Sequence, residues 1–170
     1  MKLTRFFWMA GLVAGLVAGC GYHLEGGGYI NEDVSRVAVD VFENKSSETR
    51  AGMSFTNQLI QEIQTKTDTA VVDSDKAAFK IVGSVNAITF SALARVTTET
   101  VVERKVMALV DVQLTGPDGE ILWSVKNLSS TESYEVDPNK VDDEANKREA
   151  VEKIALRSAE RVVSQMMANF

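Results

Sequence analysis

Apolar and polar residues alternate from Val34 to Phe42, with Val37, Val39 and Val41 on one side and Arg36, Ala38 and Asp40 on the other. This is the two-residue period of a half-buried strand. Asn44-Lys45-Ser46-Ser47 breaks the alternation, and either serine is placed to cap a helix. From Glu48 to Lys66 the period lengthens, and Gly52, Phe55, Thr56, Leu59, Ile60 and Ile63 fall on one helical stripe. Gly52 costs that helix about 1 kcal/mol relative to alanine unless close packing requires it. A polar connection over 67–78 encloses a short β-like run, Ala70-Val71-Val72. Phe79 to Phe90 alternates again, with Phe79, Ile81, Gly83, Val85 and Ala87 on one face. Val101 to Thr115 is a third strand, with Val106, Ala108, Val110, Val112 and Leu114 inward. Gly116-Pro117-Asp118-Gly119 is a hairpin turn, and Glu120 to about Glu135 returns as a fourth strand. After Asp137-Pro138-Asn139, a last helix runs to about Ala168, with Val151, Ile154, Ala155, Ser158, Ala159, Val162, Val163 and Met166 on one face. Asp142, Asp143 and Glu144 suit its positive N-terminus.

The order is β-α-β-β-β-α. Two helices with one apolar face each and alternating strands predict an α+β two-layer sandwich, both helices on one face of a four-stranded mixed sheet. The opposite sheet face is expected to carry Ser84, Asn86, Ile88, Phe90, Met107, Leu109, Asp111 and Leu122. That face is too apolar to be plainly solvated, so Ile88, Met107, Leu109 and Leu122 are candidate partner contacts.

The first residues follow neither period. Lys2 and Arg5 precede an apolar run from Phe6 to Val17. At about 1.5 Å per residue the run spans about 18 Å, short of a bilayer core of about 30 Å, so it reads as a signal peptide. Leu16-Val17-Ala18-Gly19-Cys20 resembles the bacterial lipobox, which implies lipid on Cys20 and cleavage before it. The expected division is a signal peptide over 1–19, a lipidated Cys20 with a Gly-rich tether over 20–30, and one domain over 31–170. Gly21 stands where an aspartate would, by analogy, retain a lipoprotein in the inner membrane. The analogy favours the inner leaflet of the outer membrane, with the domain in the periplasm. Acylated chains bury about 0.8 kcal/mol per methylene, which makes such an anchor effectively permanent.

Composition narrows the function. The 170 residues carry 18 Lys and Arg against 24 Asp and Glu, for a formal charge of −6. Losing Lys2 and Arg5 with the signal peptide takes this to −8. A nucleic-acid partner is not expected from an acidic chain. One cysteine and one histidine leave little for a metal site or a His-based triad, and no cofactor is implied. His23 lies in the tether without partners in the sequence. There is no G-x-S-x-G elbow, P-loop or dinucleotide glycine pattern, and nothing argues for an enzyme.

Four cations stand out against this background. Arg95 lies in the connection between the second and third strands, Arg104 and Lys105 where the third begins, and Lys140 after the fourth. Antiparallel strand directions put these at one end of the sheet, where arginine and lysine can hold phosphates by charge-assisted bonds. The alternative is solvated tips beside Glu99 and Glu103.

Gly19-Cys20-Gly21-Tyr22-His23-Leu24 and the run Arg36 to Asn44 resemble the LptE family of lipopolysaccharide-assembly lipoproteins. So do Val82-Gly83-Ser84-Val85, Asp118-Gly119-Glu120-Ile121-Leu122-Trp123 and Tyr134, in the same order. The resemblance implies a non-enzymatic protein that plugs the LptD-type outer-membrane β-barrel, helps it assemble and binds lipopolysaccharide. It attributes glycolipid contacts to basic residues matching Arg95 and Lys140. A second class is a periplasmic lipoprotein that activates or scaffolds a cell-wall synthase, which predicts an enzyme partner and no barrel.

Overall fold

A computed structural model describes residues 28–96 and 101–169. The signal peptide, Cys20, His23 and most of the tether lie outside the described residues. Strands β1 (Arg36–Val39) and β2 (Glu43–Asn44) precede helix α1 (Ala51–Lys66) and strand β3 (Ala70–Val71). Three long strands follow, β4 (Phe79–Arg95), β5 (Val101–Thr115) and β6 (Ile121–Glu135), then helix α2 (Lys140–Ala168).

The sheet has six strands, not the four expected from the alternation. Its order is β3-β1-β4-β5-β6, with β2 also paired to β4. The β1 strand is parallel to β3 and β4, and β4, β5 and β6 are mutually antiparallel, so the sheet is mixed as expected. The additional strands arise because the predicted first strand is interrupted. Regular pairing stops at Val39, Val41 is turned out to solvent at 69% exposure, and Phe42 turns inward at 4%. The chain then rejoins β4 as β2.

Both helices cover one face. Val106, Ala108, Val110, Val112 and Leu114 of β5 are buried beneath them, as the alternation requires. Phe55, Leu59 and Ile63 of α1 and the predicted stripe of α2 close the core from above. Neither serine caps α1; Ser46 instead binds Asn44 Oδ1 through both its N–H (3.0 Å) and hydroxyl (2.7 Å). Asn44 also donates to the Glu48 carbonyl at 2.8 Å, so this one side chain organises the turn into α1. For α2, the Asn139 side chain accepts from the Val141 N–H at 3.0 Å.

Phe42 is wedged between helix and sheet. Its N–H donates to Thr56 Oγ1 at 2.9 Å, its carbonyl lies against Gly52, and its ring lies on Gly83. Both glycines are sites of close approach, which answers why Gly52 is tolerated inside α1.

Candidate functional site

The long strands give the domain two chemically different ends. At one, Gly28 accepts from the Asp68 N–H (2.9 Å), and Ile30 donates to Thr69 Oγ1 (3.0 Å) and is 1% exposed. Ile30, placed in the tether by the sequence pattern, is thus packed in the core. At the opposite end lie the last residues of β4, the first of β5 and the first turn of α2. The 17 residues of β4 separate these ends by about 50 Å, at about 3.3 Å per residue.

The four candidate cations are distributed as follows. Arg95 is the last residue of β4, paired with Val101, rather than part of a loop. Lys140 is the first residue of α2 and exposed. Val136 donates to the Val102 carbonyl at 2.9 Å, which sets the exit of β6 level with Arg95 about two strand spacings away, roughly 10 Å. Arg95 and Lys140 therefore flank the same end. Arg104 and Lys105 are also exposed there but alternate in β5. Arg104 pairs with Tyr134 and Ala92 on the helix side, whereas Lys105 pairs with Ser91 and Ser133 on the open side. A single cluster of four is not formed. Glu103, Glu135, Asp142 and Asp143 lie at the same end, so acidic residues are interspersed with the cations. Leu93 (54% exposed), Val96 (74%) and Val141 (71%) add aliphatic surface beside the cations.

The first turns of α2 are held over this end by a contact that the sequence pattern gave no sign of. Lys147 Nζ lies 2.8 Å from Glu48 Oε1 and 4.9 Å from the centre of the Phe90 ring. The Glu48 bond, outweighing partial burial, raises the Lys147 ammonium above its ordinary range.

The open face of the sheet differs from the expected one through a single inserted residue. Pairing of β4 slips between Val85 and Ala87, leaving Asn86 as a bulge, and the strand changes face there. Ile88 and Phe90 consequently turn toward the helices, opposite Ala108 and Val106, and Ile88 is 6% exposed. Ile88 is a core residue, not a partner contact. Leu122 falls at a second irregularity, between Ile121 and Trp123, and packs against the core as well. Met107 and Leu109 do lie on the open face, half-buried among Ala87, Thr89, Ser129 and Thr131.

Asp111 stands at the centre of that face. A second bulge in β6 sits beside it, where Asn127 has φ 53° and donates its N–H to Asp111 Oδ1 at 2.7 Å. The Asn127 N–H holds the carboxyl below its ordinary value, and the Asn86 side chain adds to this. One carboxylate thus ties together the bulges of both neighbouring strands. The signal was faint: Val85 and Ile88 are three residues apart, an interval that strict alternation cannot place on one face.

Among the described residues no group of His, Cys, Asp and Glu is arranged to hold a metal, and no helix is long and apolar enough to cross a membrane. A groove of about 560 Å³ is open and lined at the edge strand by Val71, Val72, Asp73 and Lys76. Asp73 and Lys76 pair with each other there at 2.8 Å, which leaves Asp40 as the other charged residue of its lining.

The fold is that of small bacterial lipoprotein domains. A putative lipoprotein from Caulobacter crescentus superposes with a TM-score of 0.60 at 17% identity, over 82% of this chain and 93% of that one. An uncharacterized lipoprotein B from Nitrosomonas europaea gives 0.59 at 18%, over 80% and 84%. The rare lipoprotein B from Shewanella oneidensis gives 0.53 at 18%, over 79% and 94%. No curated protein sequence matches significantly. The family model LptE, lipopolysaccharide-assembly, matches residues 34–166, and the chain belongs to that family. It is accordingly a lipopolysaccharide-assembly lipoprotein of the outer membrane.

Proposed function

We propose that the domain occupies the lumen of an LptD-type β-barrel, helps that barrel assemble, and binds lipopolysaccharide at the end of the sheet that carries Arg95 and Lys140. The observation that carries this reading is the separation of that end from the point where the chain enters the domain. The tether meets the domain at Gly28, and β4 extends about 50 Å away from there. A bilayer with its headgroups is about 40–45 Å thick, so a domain tethered by Cys20 at the inner leaflet and standing upright in a barrel reaches the outer face with its cationic end.

The chemistry at that end fits an anionic amphiphile. Arg95 and Lys140 meet phosphates with charge-assisted bonds, and Leu93, Val96 and Val141 offer contact to acyl chains. Arg104 and Lys105 contribute from opposite faces and carry less of the site. The open sheet face, where Met107 and Leu109 lie among Ala87, Thr89, Ser129 and Thr131, suits the polar interior wall of a barrel.

Two measurements test the reading. Purification of the lipoprotein from detergent-solubilised outer membrane is expected to bring down one β-barrel at about equal stoichiometry; a cell-wall synthase in its place refutes the plug. Titration with lipopolysaccharide is expected to show weaker binding for Arg95→Glu with Lys140→Glu. Two lost bonds of about 1.5 kcal/mol each amount to about a hundredfold, and added salt weakens the wild type toward the variant. Equal affinities refute the assigned residues, and salt-independent binding refutes the phosphate contact.

A further inference from the structure

We propose that the outer edge of β4, from Thr89 to Ala94, is a strand-acceptor site that takes an extended segment of the barrel partner as an additional strand. This rests on the reading that the partner is a β-barrel protein, and goes beyond it by naming the backbone groups that join the two.

The hydrogen-bond directions follow from the register. The β1 and β2 side of β4 is reached by the carbonyls of Ile81, which accepts from Asp40, and Val85, which accepts from Lys45. Val102 of β5 bonds to Val136 beyond β6, so even-numbered residues of β5 face β6 with their backbone groups. Ile88, Phe90 and Ala92 pair with Ala108, Val106 and Arg104, all even-numbered. The N–H and C=O of Ile88, Phe90 and Ala92 therefore point away from β5, to the side where β1 and β2 have already ended. Among the described residues no strand pairs with β4 there beyond Val85. Ile88 is itself enclosed, so the open stretch begins at Thr89, and Thr89, Ser91, Ala92 and Leu93 are exposed.

The rest of the sheet is guarded at its edges. On β6 the outward carbonyls of Ser129, Thr131 and Glu135 accept from side chains of α2. Arg161 binds the first, Arg157 the second at 2.8 Å, and Asn146 the third at 3.0 Å. The opposite edge, β3, is two residues long. Edge strands commonly carry charge, proline or a covering element that prevents unwanted pairing. Between Ile81 and Ala94 β4 has no charged residue and no proline. Two outward residues offer up to four main-chain bonds, and Leu93 at 54% exposure offers an apolar side-chain contact. An uncharged extended chain is the occupant these groups complement, and it would lie directly beside Arg95.

The test compares the full lipoprotein alone in detergent with its barrel complex. Hydrogen exchange over residues 88–95 is expected to show two additional slow amides in the complex, Phe90 and Ala92, because the amides of Thr89 and Ser91 already bond to β5. Ala92→Pro removes an outward N–H that the internal ladder does not use, so the fold should persist. Recovery of the complex is expected to fall about tenfold or more. If the barrel is recovered while both amides exchange as in the free protein, the proposal is overturned and the plug reading stands. Full recovery with Ala92→Pro has the same consequence. If that variant does not fold, exchange in the wild type decides alone. If no barrel is recovered, both readings fail together. Protection of the same amides in a dimer without the barrel would assign the edge to a second copy and overturn the proposed occupant.

Discussion

Gly83→Ala tests the packing that joins α1 to the sheet, and the expected sign is informative. Among the described glycines only Gly119 has positive φ, so the backbone at Gly83 accepts alanine without strain. Reduced freedom of the unfolded chain would then stabilise by about 0.4–1 kcal/mol. The Phe42 ring reverses this. A Cβ on Gly83 would lie 2.5 Å from Phe42 Cε2 and 2.7 Å from Cδ2, about 1 Å inside the normal contact distance of about 3.5–4.0 Å. Phe42 cannot retreat toward α1, since its carbonyl already lies 2.5 Å from where a Cβ on Gly52 would sit. Overpacking of this kind costs about 2–3 kcal/mol, which lowers Tm by roughly 10 °C in a domain of this size. Thermal and urea unfolding of the purified lipoprotein, followed by circular dichroism, measures it. Phe42→Leu alone should destabilise by about 1–2 kcal/mol through lost packing. Combined with Gly83→Ala, it should cost at least about 1 kcal/mol less than the two single effects added, because the smaller side chain makes room. A neutral Gly83→Ala, or costs that simply add, would refute the wedge.

Asp111→Ala should destabilise by about 1 kcal/mol near neutral pH, since it removes the acceptor of the Asn127 N–H at a site where water can partly replace it. The folded carboxyl titrates below its unfolded value, so its contribution is present above that value and is lost as pH falls through the folded one. The difference in urea midpoint between wild type and variant should therefore shrink below about pH 4, and a constant difference would exclude an ionic clasp. Leu109→Arg, on the open face, should reduce recovery of the barrel complex while leaving the unfolding midpoint within about 0.5 kcal/mol of wild type; an undiminished yield would clear that face of any role. Cys20→Ala should abolish labelled fatty-acid incorporation and leave a longer precursor, and lipid labelling that persists in the variant would refute the lipobox.

Most elements of this fold are set by local periodicity, because burial on one face imposes a period of two on strands and about 3.6 on helices. The buried stripe of α2 from Val151 to Met166, the inward set of β5 and the turn at 116–119 each follow from the order of residues alone. The N-terminal address and the family motifs are likewise local, carried by residue identities that need no fold to be read. Periodicity loses its meaning at a single inserted residue. Asn86 moved Ile88 from the expected partner surface to the core, and the break after Val39 exchanged the fates of Val41 and Phe42. A bulge leaves composition unchanged and reverses every side chain beyond it, so only the pairing with a neighbouring strand reveals it. The same holds for contacts between residues far apart in the chain. Lys147 reaches Glu48 and Phe90, Asp111 joins two bulges, and Arg157 and Arg161 cover the edge of β6, because the sheet brings those backbones within a side chain's length. The sequence by itself determined which segments become the long strands and the helices, and which residues carry charge. The tertiary structure decided which face and which edge those residues occupy, since register is fixed by packing across the whole sheet rather than by any one strand.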